Sequence, residues 1–248
     1  MDLVADIGNT RCHLAAFIGG KLTAKDAVPG GPTSEMEAGW DRFLRALPGK
    51  PTRVGVASVN PRVKVPFVTW ALERLALEPR VLKENLRPRI LLDVDAPDEV
   101  GADRIADALW AARRYPGQAT VVIDCGTAIT FNVVSSKGAF LGGAIAPGLS
   151  TQARALSEKT ALLPEIKIGR APGPIGRDTS SSIASGIFFG AVGLVSELTS
   201  RIEAHLGEKL LVIATGGDAE LLASGSKRID RVVPDLTLEG VALALAEG

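Results

Sequence analysis

The strongest constraint on this chain is a motif that occurs twice. Near the start the residues run Leu3-Val4-Ala5-Asp6-Ile7-Gly8-Asn9-Thr10, and near the middle Val121-Val122-Ile123-Asp124-Cys125-Gly126-Thr127-Ala128. Each is an apolar, strand-like run ending in an aspartate, any residue, a glycine and a small polar side chain. The aspartates are about half of the 248-residue chain apart. A strand that delivers an acid and a glycine to its end is a platform for phosphate and metal: glycine admits a close backbone approach, and the acid holds a cation. One such platform in each half predicts a cleft built from duplicated halves.

The rest of the chain alternates accordingly. Strands are expected at 3–6 and 13–18, joined through Gly8-Asn9-Thr10 as the start of a meander, then at 54–59 and 81–82. Helices are expected at 37–47, 66–77 (with Val68, Leu72 and Leu75 on one face) and 101–115, where Ile105, Ala108, Leu109 and Ala112 fall at helical spacing before Pro116-Gly117. Asn60-Pro61 reads as a turn, and 83–97, with three prolines, as a long loop. The second half opens like the first, with strands at 120–124, 130–134 and 139–145 and a helix running to 156. A proline-bearing loop follows at 158–176 (Pro164, Pro172, Pro174), then a long helix at 180–206, a strand at 210–214 ending in Thr215-Gly216-Gly217-Asp218, and helices after it, the last at 238–246. Gly186, Gly190 and Gly193 would let a neighbour approach the long helix closely, while Ser196, Glu197 and Arg201 interrupt its apolar run. The expected fold is α/β, in two related halves at 1–116 and 117–248.

Charge narrows the function. The chain carries 28 basic and 28 acidic residues with no basic block, which argues against nucleic acid as a partner. Neither a run long enough to be read as a membrane span nor a basic-then-apolar leader is apparent, so the expectation is a soluble cytoplasmic protein without membrane partners. Cys12 and Cys125 have no metal-site spacing and read as small buried residues rather than nucleophiles. Trp40, Trp70 and Trp110 read as core, and His13 and His205 as isolated histidines.

At Asp6-Ile7-Gly8-Asn9-Thr10, Asn and Thr add donors, and Asp6 beside a phosphate is best suited to hold Mg2+ through water. The plain alternative is a hairpin turn, for which Gly-Asn is common. The echo at Asp124 and a third glycine-bearing turn at Thr215-Gly216-Gly217 weigh against that alternative and suit a nucleotide lying across a cleft. Neither a P-loop nor a dinucleotide fingerprint is present. Gly101-Ala102-Asp103-Arg104 opens a helix, where the dipole favours a carboxylate and bound anions. There Asp103 could take a proton from a substrate hydroxyl and Arg104 could hold a carboxylate or phosphate; a helix-initial acid followed by a solvated arginine is the alternative. Asp98, Glu99 and Asp107 read as solvated charges around it.

In this order, these motifs resemble those of type III pantothenate kinases, a family of the acetate kinase, sugar kinase, Hsp70 and actin superfamily. The resemblance continues through Leu141-Gly142-Gly143-Ala144-Ile145-Ala146-Pro147-Gly148, Ile175-Gly176-Arg177-Asp178-Thr179, Gly186-Ile187-Phe188-Phe189-Gly190, Ala214-Thr215-Gly216-Gly217 and Pro234-Asp235-Leu236-Thr237-Leu238-Glu239-Gly240, and spans essentially the whole chain. It implies two ribonuclease H-like halves of the actin-like ATPase fold and phosphorylation of the pantothenate 4′-hydroxyl by ATP, the first step toward coenzyme A.

By the same resemblance, Asp6, Ile7, Gly8, Asn9, Thr10, Arg11, Cys12 and His13 form the first phosphate loop, and Thr127 contacts ATP. Gly101, Ala102, Asp103 and Arg104 contact pantothenate, with Asp103 the general base. Asp124 holds a monovalent cation, potassium or ammonium, and Thr179 reaches pantothenate from the neighbouring subunit of a homodimer. The chain departs from the family pattern at His13, where lysine is frequent, at Val94, where tyrosine is frequent, and at Asn132, where aspartate is frequent. An imidazole holds phosphate less firmly than an ammonium. Two other readings stay open from sequence: a non-enzymatic relative acting as a regulatory accessory or binding protein, and a kinase of another small hydroxyl compound. Retention of Asp103, Asp124 and Thr179 favours the pantothenate kinase.

Overall fold

Alternation of apolar residues builds the first sheet. In the computed structural model, which describes residues 1–171 and 173–248, β1 (Asp2–Ile7), β2 (Arg11–Ile18) and β3 (Lys21–Pro29) form an antiparallel meander. After α1 (Thr33–Ala46), β4 (Arg53–Ser58) returns parallel to β1; after α2 (Pro61–Leu75), β5 (Arg80–Val81) adds parallel to β4. A single 3-10 turn at Pro97–Glu99 leads into α3 (Ala102–Arg114). The strand order is β3-β2-β1-β4-β5. Leu3, Ala5, Ile7, Cys12 and Leu14 point to one face, where they pack with Trp40, Phe67 and Trp70 of α1 and α2. The three rings contact one another at centroid distances of 5.1–5.6 Å. Each such buried side chain contributes about 2 kcal/mol. By the two-residue period of a strand, Asp6 and His13 lie on the opposite face, which α3 and the C-terminal helix cover.

The second unit repeats this plan. β6 (Thr120–Cys125), β7 (Ala128–Val134) and β8 (Phe140–Pro147) form an antiparallel meander, followed by α4 (Leu149–Lys159) and α5 (Thr179–Leu206). Then β9 (Leu211–Thr215) joins β6 in parallel, and after α6 (Ala219–Ala223), β10 (Arg231–Val232) joins β9. The order β10-β9-β6-β7-β8 is the first sheet read backwards, strand for strand and with the same parallel and antiparallel senses. The duplicated aspartates therefore occupy equivalent positions, near the ends of the central strands β1 and β6. α5 is long and apolar enough, by length and composition, to cross a membrane; one face of it (Ile183, Ile187, Ala191, Val195) packs into the core of this unit.

Contacts divide the chain into Met1–Arg114 with Leu236–Gly248, and Tyr115–Asp235. The last helix, α7 (Leu236–Glu247), packs with the first unit rather than with the half that precedes it in sequence. The cause is local chemistry on α3. Thr237 Oγ1 donates to Asp107 Oδ1 at 2.7 Å, Trp110 Nε1 donates to Glu239 Oε2 at 2.7 Å, and Arg113 pairs with both carboxylate oxygens of Glu247 at 2.5 and 2.9 Å. Gly240 lets the helices touch: a Cβ there would lie 2.2 Å from the carbonyl oxygen of Ala106.

Three local expectations are corrected. Asn60-Pro61 does not end in a turn but starts α2, with the Asn60 side chain accepting from Arg62 N at 3.2 Å and Pro61 at the first helical position, where its missing N–H costs nothing. The buried face of α2 is Phe67, Trp70 and Ala71, and Leu72 is exposed. Strand β10 is short and was not expected. The stretch between α4 and α5 carries no helix or strand among the described residues; Pro172, one of the prolines behind that loop expectation, lies outside them.

Candidate functional site

In the first unit, β1 and β2 meet at Gly8-Asn9-Thr10. Gly8 N donates to Arg11 O at 3.0 Å, and Gly30 N to Thr10 O at 2.8 Å. Asn9, Thr10 and Arg11 are exposed at the tip, whereas Ile7 and Cys12 are buried in the core. Asp6 and His13 are directly opposed across the two strands and partly exposed. This arrangement places the exposed Asn9, Thr10 and Arg11 and one partly exposed carboxylate at a single strand end, polar groups of the kind that bind a phosphate or a hydrated cation.

The start of α3 lies against the same corner. Val59 N donates to Ile7 O at 3.1 Å, and the Val59 side chain is 3.5 Å from where a Gly101 Cβ would stand. Val59 thus links the end of β1 to Gly101 at the start of α3. Asp103 Oδ1 accepts from Arg104 N at 2.8 Å and occupies the space beside Gly101: a Cβ at 101 would be 2.4 Å from it. Protein atoms crowd the Asp103 carboxyl and push its pKa up, while the Arg104 and Lys83 charges pull the other way without cancelling the effect. Burial likewise lowers the pKa of Arg104, opposed by the charges of Asp103 and Asp107. A desolvated carboxylate beside a guanidinium is competent both to take a proton and to hold an anion. Of the neighbouring acids, Asp98 and Glu99 are exposed as expected, but Asp107 is not solvated: it is 1% exposed and accepts from Thr237. The expectation failed because Thr237 is 130 positions away in sequence.

In the second unit, Asp124 lies opposite Thr130 on β7 and Thr215 on β9, on the sheet face away from Ile123 and Cys125. The turn after it is held by Gly126 N donating to Ala128 O at 2.9 Å, and Asp218 N donates to Cys125 O at 2.9 Å. Thr127 is exposed, and its carbonyl accepts from Gly148 N at 3.0 Å and Thr151 Oγ1 at 2.6 Å. Gly216, at φ +88°, leaves a cradle: a Cβ there would be 2.4 Å from Asp124 Oδ1, 2.7 Å from Cys125 O and 2.8 Å from Cys125 N. The hard-oxygen donors at this side-chain-free position are one carboxylate oxygen of Asp124 and one carbonyl oxygen, that of Cys125, which also accepts from Asp218 N; they are of the kind a monovalent cation takes. Burial raises the Cys125 thiol pKa strongly and that of Cys12 to about 12, so neither thiol is a nucleophile near neutral pH.

Thr179 is also in this unit, exposed at the first turn of α5, where Asp178 caps the helix by accepting from Ser181 N at 2.7 Å. It lines a largely apolar groove of about 490 Å³ with Leu156, Leu163, Ile183 and Ile187.

Two duplicated α/β units, each ending its central strand in an aspartate and a glycine turn, have the actin-like ATPase fold. A ROK family glucokinase from Streptomyces griseus, solved with glucose and AMPPNP, is similar over 99% of this chain and all of its own, with a TM-score of 0.56 at 14% identity. A Campylobacter jejuni protein assigned to a Baf family of transcriptional activators is similar over 99% and 98%, with a TM-score of 0.63 at 21% identity. These likenesses show the fold. The sequence is more specific: the type III pantothenate kinase profile matches residues 2–201, and a type III pantothenate kinase of Dehalococcoides mccartyi is 41% identical over 97% of this chain and 95% of its own. The chain belongs to the type III pantothenate kinase family.

Proposed function

We propose that the chain transfers the γ-phosphoryl group of ATP to the 4′-hydroxyl of pantothenate, the first step toward coenzyme A, as a cytoplasmic homodimer. The observation that carries this reading, beyond family membership, is the crowded Asp103 carboxyl beside Arg104 at the start of α3. The pantothenate hydroxyl oxygen attacks the γ-phosphorus, the bond to the ADP oxygen breaks, and Asp103 accepts the hydroxyl proton. Arg104 pairs with an anionic group of pantothenate, and Gly101 and Ala102 supply close backbone contacts. The residues Asp6, Ile7, Gly8, Asn9, Thr10, Arg11, Cys12 and His13 form the phosphate loop, and Thr127 contacts the nucleotide. When bound, Mg2+ and a monovalent cation supply charge neutralisation for the phosphates, the first held through water by Asp6 and the second by Asp124.

The homodimer is supported by the outer face of α5. Gly186, Gly190 and Gly193 are exposed, and a Cβ at any of them would meet nothing within 4 Å. The close neighbour these glycines would admit is therefore not supplied by the described residues of the chain itself, and a second copy would bring Thr179 toward its partner's pantothenate.

The test is ADP release with Mg2+, with and without pantothenate, in potassium and then in sodium. We expect pantothenate-dependent turnover that falls roughly tenfold in sodium. Equal rates in the two salts would remove the cation role of Asp124, and no response to pantothenate would remove the function.

A further inference from the structure

The buried carboxylate of Asp107 has a place in the site that its family motif does not explain. It stands one helical turn after Asp103 and Arg104 on α3, 1% exposed, among Ala106, Ala108, Leu109 and Trp110. Burying a carboxylate is costly unless it is hydrogen-bonded and opposed by a positive charge. Thr237 Oγ1 of α7 supplies the hydrogen bond at 2.7 Å. The opposing charge is Arg104, three positions earlier and so on the same side of the helix, whose cationic form is favoured by both Asp103 and Asp107. Fastening α7 to α3 does not require this charge, because Trp110–Glu239 and Arg113–Glu247 already join the helices at later turns.

We propose that Thr237 and Asp107 are positioning residues for the Arg104 guanidinium: the C-terminal helix sets the Asp107 carboxylate, which in turn holds Arg104 in place beside Asp103. The kinetic part of this inference rests on Arg104 binding pantothenate, as proposed above. It gives the last thirteen residues, Leu236–Gly248, a role in the site although none of them carries a recognised catalytic group.

The experiment uses the full chain, with Thr237→Val, Thr237→Ser, Asp107→Asn and Glu239→Gln, and two readouts. The first is the side-chain Nε–H signal of Arg104 by NMR in the protein without substrate, identified by its loss in Arg104→Lys. The second is steady-state kinetics. We expect the Arg104 signal to move in Thr237→Val and Asp107→Asn, to return toward its original place in Thr237→Ser, and to stay in Glu239→Gln, which loosens the same helix pair elsewhere. The KM for pantothenate should rise roughly fivefold in Thr237→Val, with the KM for ATP and kcat within about twofold. An Arg104 signal unmoved by Thr237→Val, or moved equally by Glu239→Gln, overturns the inference. A signal that moves while the pantothenate KM does not leaves the positioning intact and overturns instead the reading of Arg104 as a substrate contact. Thr237→Val and Thr237→Ser keep the test decisive if Asp107→Asn fails to fold.

Discussion

Asp103→Asn should lower kcat by roughly 10²–10⁴-fold while leaving the KM for pantothenate within a few-fold, because an amide keeps the shape of the carboxylate but cannot accept the hydroxyl proton. The same substitution should not destabilise the protein near neutral pH. Crowding raises the folded carboxyl's pKa above its unfolded value, so the folded state holds this proton more tightly than the unfolded chain. Stability contributed by the group is therefore greatest at pH below the unfolded value and is lost as pH rises through the raised one. Asn carries no charge to desolvate and escapes that loss, so thermal midpoints measured from pH 4 to pH 8 should fall less for the variant than for the parent. The activity of the parent should rise with pH across the raised pKa, as the base becomes ionised. A variant that keeps most of its kcat would move the proton-accepting role elsewhere.

Gly216→Ala should destabilise the second unit. The added Cβ would stand 2.4 Å from Asp124 Oδ1 and under 3 Å from two backbone atoms of Cys125, and φ +88° is a conformation that alanine adopts only under strain. The side chain of Asp124 can rotate away, but the backbone of β6 is paired on both sides, with β7 and β9, and cannot give. A cost of roughly 3–4 kcal/mol follows, seen as a thermal midpoint lowered by about 10 °C. What stability remains should no longer respond to potassium, since the Asp124 cradle is filled. Circular dichroism melts with and without potassium read both effects; an unchanged midpoint would show that β6 and the turn after β9 are further apart than the structure has them.

Much of this molecule was legible in its sequence. The repeated Asp-x-Gly turn announced two related sheets, and the observed sheets share one strand order about β1 and β6. The placement of Asp6 and Asp124 near the ends of their strands was also legible, because an apolar run that closes on an aspartate and a glycine marks where the strand stops. What escaped were contacts between distant segments. Nothing near Leu236–Glu247 indicates that it leaves the half it follows, since its partners Asp107, Trp110 and Arg113 lie more than a hundred positions earlier. Asp107 read as a solvated helix charge for the same reason. The exposed Leu72 had a plainer cause: Phe67, Trp70 and Ala71 compete for the core side of α2, and the bulkier aromatics win it.

The most direct measurement is identification of the product formed from ATP, Mg2+, potassium and pantothenate, offered alongside a panel of other hydroxyl-bearing acids. Phosphorus NMR and mass spectrometry should show one phosphoryl group on the 4′-oxygen of pantothenate, formed in step with ADP and at least roughly a hundredfold more slowly with Asp103→Asn. Phosphorylation of another member of the panel in preference to pantothenate, or ATP turnover with no phosphorylated acceptor, would contradict the account.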